Sequence, residues 1–289
     1  MKRQDNDSLA LLPSPDGDAD LVPALAFARR AQGASTVCVL DVPQPDGRRL
    51  HWLDSEHARG WLLPADAGAL SPEAFADVFA TATEAGFVGA DAAILASVPG
   101  ASPGFLPADA KLPRLSWGDE PRFAPAVVRD DRPLGLYGLV DSAQRLRAAL
   151  DAGLRTVQLR IKTPAQVDEA WRSHLRAQVI ECVAMAREEG AQLFVNDHWR
   201  LAAEIGAHGV HLGQEDLQAL GEVGRAELAA SGAALGISSH SLWELCRARA
   251  LSPRYIACGP VWPTTTKDMP WVPQGMDNLA FWVRRAGAP

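Results

Sequence analysis

No CxxC pair occurs among the four cysteines, Cys38, Cys182, Cys246 and Cys258, and they lie far apart. That spacing offers no zinc-ribbon ligand set and reads as reduced, mostly buried thiols of a cytoplasmic protein. No long apolar run follows the charged start Met1-Lys2-Arg3, so neither a signal peptide nor a transmembrane span is expected. Basic residues are not in excess: the formal net charge is −7, which argues against nonspecific nucleic-acid binding. No GxGxxG motif follows the first strand of the C-terminal part, which speaks against a dinucleotide fold. No Ser–His–Asp or Cys–His nucleophile is evident either.

What is present is enough for two domains, with 289 residues of which 47% are hydrophobic. Residues 1–98 read as a small accessory α/β region. Residues 35–40 form a strand candidate. Ser71-Pro72-Glu73 opens a helix, with Ser71 as N-cap and Pro72 at the first position. Residues 88–98 suggest a second helix. His51 and His57 flank Trp52 and Asp54 without a partner motif and are read as surface or loop residues. Residues 99–133, rich in Pro and Gly, read as a linker in which Leu115-Ser116-Trp117-Gly118 packs on a neighbour.

Residues 134–289 are regular. Apolar runs at 134–140, 156–162, 192–197, 209–213, 234–240 and 255–261 alternate with helical stretches. Such a rhythm predicts a parallel α/β architecture, with a closed (β/α) barrel as the leading form. Each run ends in polar chemistry. Gln158, Arg160 and Lys162 alternate along one face, Asn196-Asp197 closes the third run, and Asp216 follows the fourth. Ser238 sits in the fifth run. The sixth leads into a Pro- and Gly-rich loop, 259–275, that carries Thr264, Thr265, Thr266 and Lys267.

In a barrel these groups converge at the C-terminal mouth of the strands. Arg160, Lys162 and Lys267 supply positive charge there, and Thr264, Thr266 and Ser238 supply hydroxyl donors. Asp197 and Asp216 are separated carboxylates of the kind that bind Mg2+ together with substrate phosphates. Gln158 and Asn196 are neutral amides able to read a heterocycle's edge. Together they describe a Mg2+-bound pyrophosphate attached to a polar ring. Each residue also has a plainer use. Asp197 and Asp216 suit helix N-caps, and His211 and His240 suit structural hydrogen bonds.

The motifs Val157-Gln158-Leu159-Arg160-Ile161-Lys162, Phe194-Val195-Asn196-Asp197, residues 209–216 (GVHLGQED), residues 236–241 (GISSHS) and residues 259–267 (GPVWPTTTK) closely resemble thiamine-phosphate synthases. The resemblance implies a (β/α)8 TIM barrel over residues 134–289 that condenses hydroxymethylpyrimidine diphosphate with thiazole phosphate. It implies Gln158 and Asn196 on the pyrimidine, and Arg160, Lys162 and Lys267 on the diphosphate with Asn196 and Ser238 assisting. It further implies Asp197 and Asp216 on Mg2+, and Thr264 and Thr266 on the thiazole's phosphate. The implied catalytic set is Arg160, Lys162, Lys267 and Ser238. The partners are these small molecules, with no nucleic acid and no membrane, and a homo-oligomer is compatible.

The family pattern continues with a strand of the type PVVAIGGI and an eighth strand, whereas this chain stops at residues 284–289. The fold class is therefore α/β, a barrel truncated after about six strands and preceded by the accessory domain. The first and sixth strands are expected as open edges, with inward-facing Leu159 and Ile256 losing neighbours. Thiazole phosphate is expected to bind poorly and turnover to be slow or absent. Residues 75–95 are faintly similar to the C-terminal helices of ribokinase-like hydroxymethylpyrimidine kinases. Their HGTGC-type loop is absent, so an accessory domain without chemistry is expected. Two other functions stand beside the synthase: a thiazole tautomerase-like isomerase, and an inactive substrate-binding module.

Overall fold

The structure, a computed structural model, describes residues 8–15, 18–66, 68, 70–125, 132–263 and 273–288. The first part holds β1 (Leu9–Leu12), α1 (Val22–Ala31), β2 (Thr36–Pro43), β3 (Arg49–Ser55), β4 (Arg59–Leu63), α2 (Pro72–Glu84), α3 (Gly89–Ala96) and β5 (Arg114–Leu115). The strands form one sheet in the order β1-β2-β3-β4-β5. β1 and β2 are parallel and flank α1, and the later pairs are antiparallel. A cross-strand pair, Trp52 on Trp61, meets edge to face at 5.1 Å and packs with Val22, Val37 and Leu50. At α2, Ser71 Oγ accepts from the Ala74 amide while Pro72 opens the helix, as its sequence predicts.

Two expectations need correcting here. His51 is not a surface residue: it is buried in β3, and its Nδ1 accepts from the Asp41 amide at 2.9 Å. Burial holds its imidazole down at about 4, so it is neutral. The stretch 99–133 contains β5, and Leu112, Leu115 and Trp117 are buried. The prolines and glycines of residues 99–125 shape turns around a short strand, so that portion is packed structure and not a bare linker.

The second part runs β6 (Tyr137–Val140), α4 (Ala143–Asp151), β7 (Thr156–Leu159), α5 (Glu169–Glu188), β8 (Gln192–Asn196), α6 (Trp199–Ile205), β9 (Gly209–Leu212), α7 (Gln214–Ala219), α8 (Gly221–Ala230), β10 (Ala234–Ser239), α9 (Leu242–Arg249), β11 (Tyr255–Cys258) and α10 (Gly275–Arg285). Its six strands are all parallel and lie in sequence order. This is the strand and helix order of six βα units of a (β/α)8 barrel. The fold class is thus an incomplete barrel preceded by a separate α/β sheet.

Aromatic contacts show that this sheet curls. In a flat sheet β6 and β11 would stand about 24 Å apart, at about 4.8 Å per strand. Yet Tyr137 on β6 and Tyr255 on β11 pack edge to face at 5.3 Å, and both touch Phe194 of β8. Glycines make the room. A Cβ on Gly236 would lie 2.2 Å from the Tyr255 ring, and one on Gly209 would lie 2.5 Å from Phe194. The registry assigns the faces. Tyr137, Gln158, Phe194, Asn196, His211, Ser238 and Tyr255 share the concave side. Leu159 pairs in register with Val195 and Ile256 with Ile237, so both belong to the opposite face, not to the barrel interior as expected.

The compact units do not follow the chain linearly. Residues 1–125, 240–252 and 260–287 group together, and residues 126–239 with 253–259 form the other unit. Helix α9 therefore belongs with the N-terminal part. The Asp91 carboxylate of α3 accepts from the Trp243 amide at 2.9 Å, and the Trp117 indole donates to the Arg247 carbonyl at 3.0 Å. Arg247 donates to the Arg59 carbonyl, and Arg249 to the carbonyl of Leu112.

Asp91 yields a pH prediction. Burial is the largest influence on its carboxyl and raises it to about 7, against the lowering effect of the Trp243 and Leu242 amides. The folded state then binds a proton that the unfolded state has already released between about pH 4 and 7. Over that window the contribution of Asp91 to stability falls as pH rises. Asp91→Asn is expected to remove this part of the slope, read from urea midpoints at pH 4.5 and 7.5. An unchanged slope would refute the assignment.

Candidate functional site

Because all six strands of the curled sheet run parallel, their C-terminal ends share one edge. Gln158 and Asn196 lie buried near that edge, on β7 and β8. Arg160 and Lys162 follow β7 and are exposed, with the Arg160 amide tied to the Val140 carbonyl at 2.7 Å. Asp197 leaves β8 with φ of 63°, a left-handed conformation that Asp tolerates better than most residues. Its amide donates to the His211 carbonyl at 3.1 Å. Asp216 sits in the first turn of α7, where its Oδ2 accepts from the Gly213 amide at 3.0 Å. Gly213, not Asp216, is the N-cap of α7; Asp216 supports that cap from the third helical position, which leaves its other carboxylate oxygen for a second partner.

The electrostatics tie these groups together. Loss of hydration is the main reason that the Asp197 carboxyl rises above the usual carboxylate range, and the charge of Asp216 adds to it. Arg160 and His198 pull the other way. Asp197, Asp216 and Arg160 thus lie in one another's field. Among the described residues no group of three or more His, Cys, Asp or Glu is gathered to hold a metal. The two carboxylates make a partial donor set, one that a divalent ion carrying its own oxygen ligands would complete.

Beneath the rim lies a polar interior that residue types alone did not reveal. His211 is buried, with Nδ1 at 2.8 Å from the Tyr255 hydroxyl and Nε2 at 2.9 Å from Ser238 Oγ. Burial, and then the charge of Arg160, hold its imidazole down at about 4. The hydroxyls of Tyr137 and Tyr255 bond to each other, and Gln158 Nε2 lies 3.4 Å from the Tyr137 hydroxyl. Only the inward registry of Tyr137 and Tyr255 could have flagged them, since tyrosine is common in any strand.

The structure therefore brings Gln158, Arg160, Asn196, Asp197, Asp216 and Ser238 to one edge, with Lys162 two residues past Arg160. Thr264, Thr266 and Lys267 lie outside the described residues. The base of their loop is tied by the Gln274 amide on the Pro260 carbonyl and the Gly275 amide on the Val261 carbonyl. Chemically, exposed cations above buried amides and a hydroxyl make a mouth for an anion joined to a polar ring.

Residues 136–289 match the family described as Thiamine monophosphate synthase. A thiamine-phosphate synthase from Neisseria meningitidis is 46% identical over 155 residues, covering 54% of this chain and 71% of that protein. One from Escherichia coli is 49% identical over 152 residues, covering 53% of this chain and 68% of that protein. A solved thiamine phosphate pyrophosphorylase from Pyrococcus furiosus is 29% identical, with a TM-score of 0.39, covering 45% of this chain and 62% of that one.

Proposed function

The chain belongs to the thiamine monophosphate synthase family, and from that premise we propose that it joins hydroxymethylpyrimidine diphosphate to thiazole phosphate, releasing pyrophosphate. The observation that carries the reading is the set Gln158, Arg160, Asn196, Asp197, Asp216 and Ser238 at one edge of a curled parallel sheet. In this reading Gln158 and Asn196 contact the pyrimidine. Arg160, Lys162 and Lys267 hold the diphosphate, with Asn196 and Ser238 assisting, and Thr264 and Thr266 take the phosphate of the thiazole. Arg160, Lys162, Lys267 and Ser238 form the catalytic set, because charge grows on pyrophosphate as its bond to the pyrimidine breaks. The thiazole nitrogen then attacks, and no protein nucleophile is required.

Asp197 and Asp216 are the residues that would hold Mg2+. The carboxylate of Asp216 raises that of Asp197, and a cation between them would relieve that strain. When bound, the ion supplies charge neutralisation to the departing pyrophosphate. Asp197→Ala and Asp216→Ala are each expected to lower the Mg2+-supported rate about tenfold or more, about 1.4 kcal/mol or more of barrier. Their circular dichroism is expected to stay that of the parent. Unchanged rate and Mg2+ dependence in both variants would remove the metal assignment.

The deciding assay supplies both substrates with Mg2+ and follows thiamine phosphate and pyrophosphate. Formation of both in equal amounts supports the synthase. Isomerisation of a thiazole carboxylate phosphate without pyrophosphate release would favour the tautomerase-like reading. Binding of both substrates without product would leave a binding module.

A further inference from the structure

Five side chains on five strands make one hydrogen-bonded line through the barrel interior. Gln158 Nε2 faces the Tyr137 hydroxyl at 3.4 Å, and that hydroxyl bonds to Tyr255. Tyr255 lies 2.8 Å from His211 Nδ1, and His211 Nε2 lies 2.9 Å from Ser238 Oγ. The line joins a residue proposed to read the pyrimidine to one proposed to assist the diphosphate.

With every proton kept within the line, it has two states. Each phenol carries one proton and the neutral imidazole one, so every link must donate in the same direction. In the first state Gln158 donates to Tyr137, Tyr137 to Tyr255 and Tyr255 to Nδ1. The imidazole proton then sits on Nε2 and is given to Ser238 Oγ. The hydrogen of Ser238 cannot point back at His211 and turns toward the mouth, where it can meet an anion. In the reverse state Ser238 spends its hydrogen on His211 and shows the mouth only lone pairs, which repel an anion. Gln158 presents its nitrogen to Tyr137, the arrangement that the first state requires.

We infer that Tyr255 is a positioning residue that holds His211 in its Nε2–H tautomer, so that Ser238 offers its hydroxyl hydrogen to the diphosphate. This rests on the reading of the mouth as a diphosphate site. Tyr255 touches no substrate in this account and acts only through His211. Tyr137 has a lesser part, because Tyr255 can still donate to Nδ1 when the bond from Tyr137 is gone.

The test uses the full 289-residue chain with 15N-labelled histidine, His211→Gln to assign the signals, and magnesium pyrophosphate as the binding probe. The parent is expected to show an unprotonated Nδ1 and a protonated Nε2 at His211. Tyr255→Phe keeps the ring against Phe194 and removes only the hydroxyl. It is expected to mix or reverse the tautomers and weaken pyrophosphate binding about five- to tenfold, the effect of losing one well-aimed hydrogen bond. Tyr137→Phe is expected to leave the His211 tautomer as in the parent. A merely structural role would make the two variants alike, since each deletes one interior hydroxyl. A protonated Nδ1 in the parent, or equal effects of Tyr255→Phe and Tyr137→Phe, would overturn the inference. Ser238→Ala separates this failure from that of the site reading. If it leaves pyrophosphate binding unchanged, the diphosphate reading falls, while the tautomer signals still judge the positioning of His211.

Discussion

Deleting residues 1–125 is expected to leave a chain that does not fold cooperatively. Helix α9 lies between β10 and β11 in the chain, but its partners come from the N-terminal part. Leu242, Trp243, Leu245 and Cys246 are all buried. Burying side chains of this size contributes about 1.5–3 kcal/mol each, so exposing even half of that surface costs about 4 kcal/mol. The Asp91 bond to the Trp243 amide goes too, along with the acceptors that Arg59 and Leu112 offer to Arg247 and Arg249. Whole domains have only about 5–15 kcal/mol to lose. Urea denaturation of residues 126–289, followed by far-ultraviolet circular dichroism and tryptophan fluorescence, is expected to show no shared transition. A single sharp transition in both signals would mean that α9 finds sufficient cover without residues 1–125.

The same helix marks where sequence reading stops. α2 was legible because its signals are local: Ser71 and Pro72 start it, and Phe75, Val78 and Phe79 line its buried side. The parallel strands were legible for a similar reason, being short apolar runs bounded by turns. α9 also read as a helix, but nothing in residues 242–249 tells that Asp91, Trp117 and Arg59 are its neighbours. The faces of the strands were harder still. Val157, Leu159, Val195 and Ile237 look like interior residues of a barrel, yet they line the outer face. The concave face carries Gln158, Asn196 and His211 instead. Apolar content cannot say which side is which when both sides of a strand are covered. Tyr137 and Tyr255 were missed because their contact spans the whole width of the sheet. The placement of Gln158, Arg160, Asn196, Asp197, Asp216 and Ser238 at one edge was legible because the strand ends of a parallel sheet fall together.

Lys267→Ala and Arg160→Ala are each expected to slow the chemical step about a hundredfold or more, a loss of about 3 kcal/mol. The two cations are proposed to meet pyrophosphate, whose negative charge is larger in the transition state than in the bound substrate. An interaction that strengthens in this way lowers the barrier more than it tightens binding. For Arg160 the structure adds a reason: its charge already reaches Asp197 and His211, at the edge where the leaving group would sit. Replacing Lys267 with Arg keeps the charge but changes a compact ammonium into a planar fork, and only partial rescue is expected. Single-turnover rates with enzyme in excess isolate the chemical step even if steady-state turnover is slow. A raised KM with an unchanged single-turnover rate would mean that these cations hold substrate and transition state equally. The leaving group would then have to be stabilised elsewhere, with Lys162, Asn196 and Ser238 the remaining donors proposed for it.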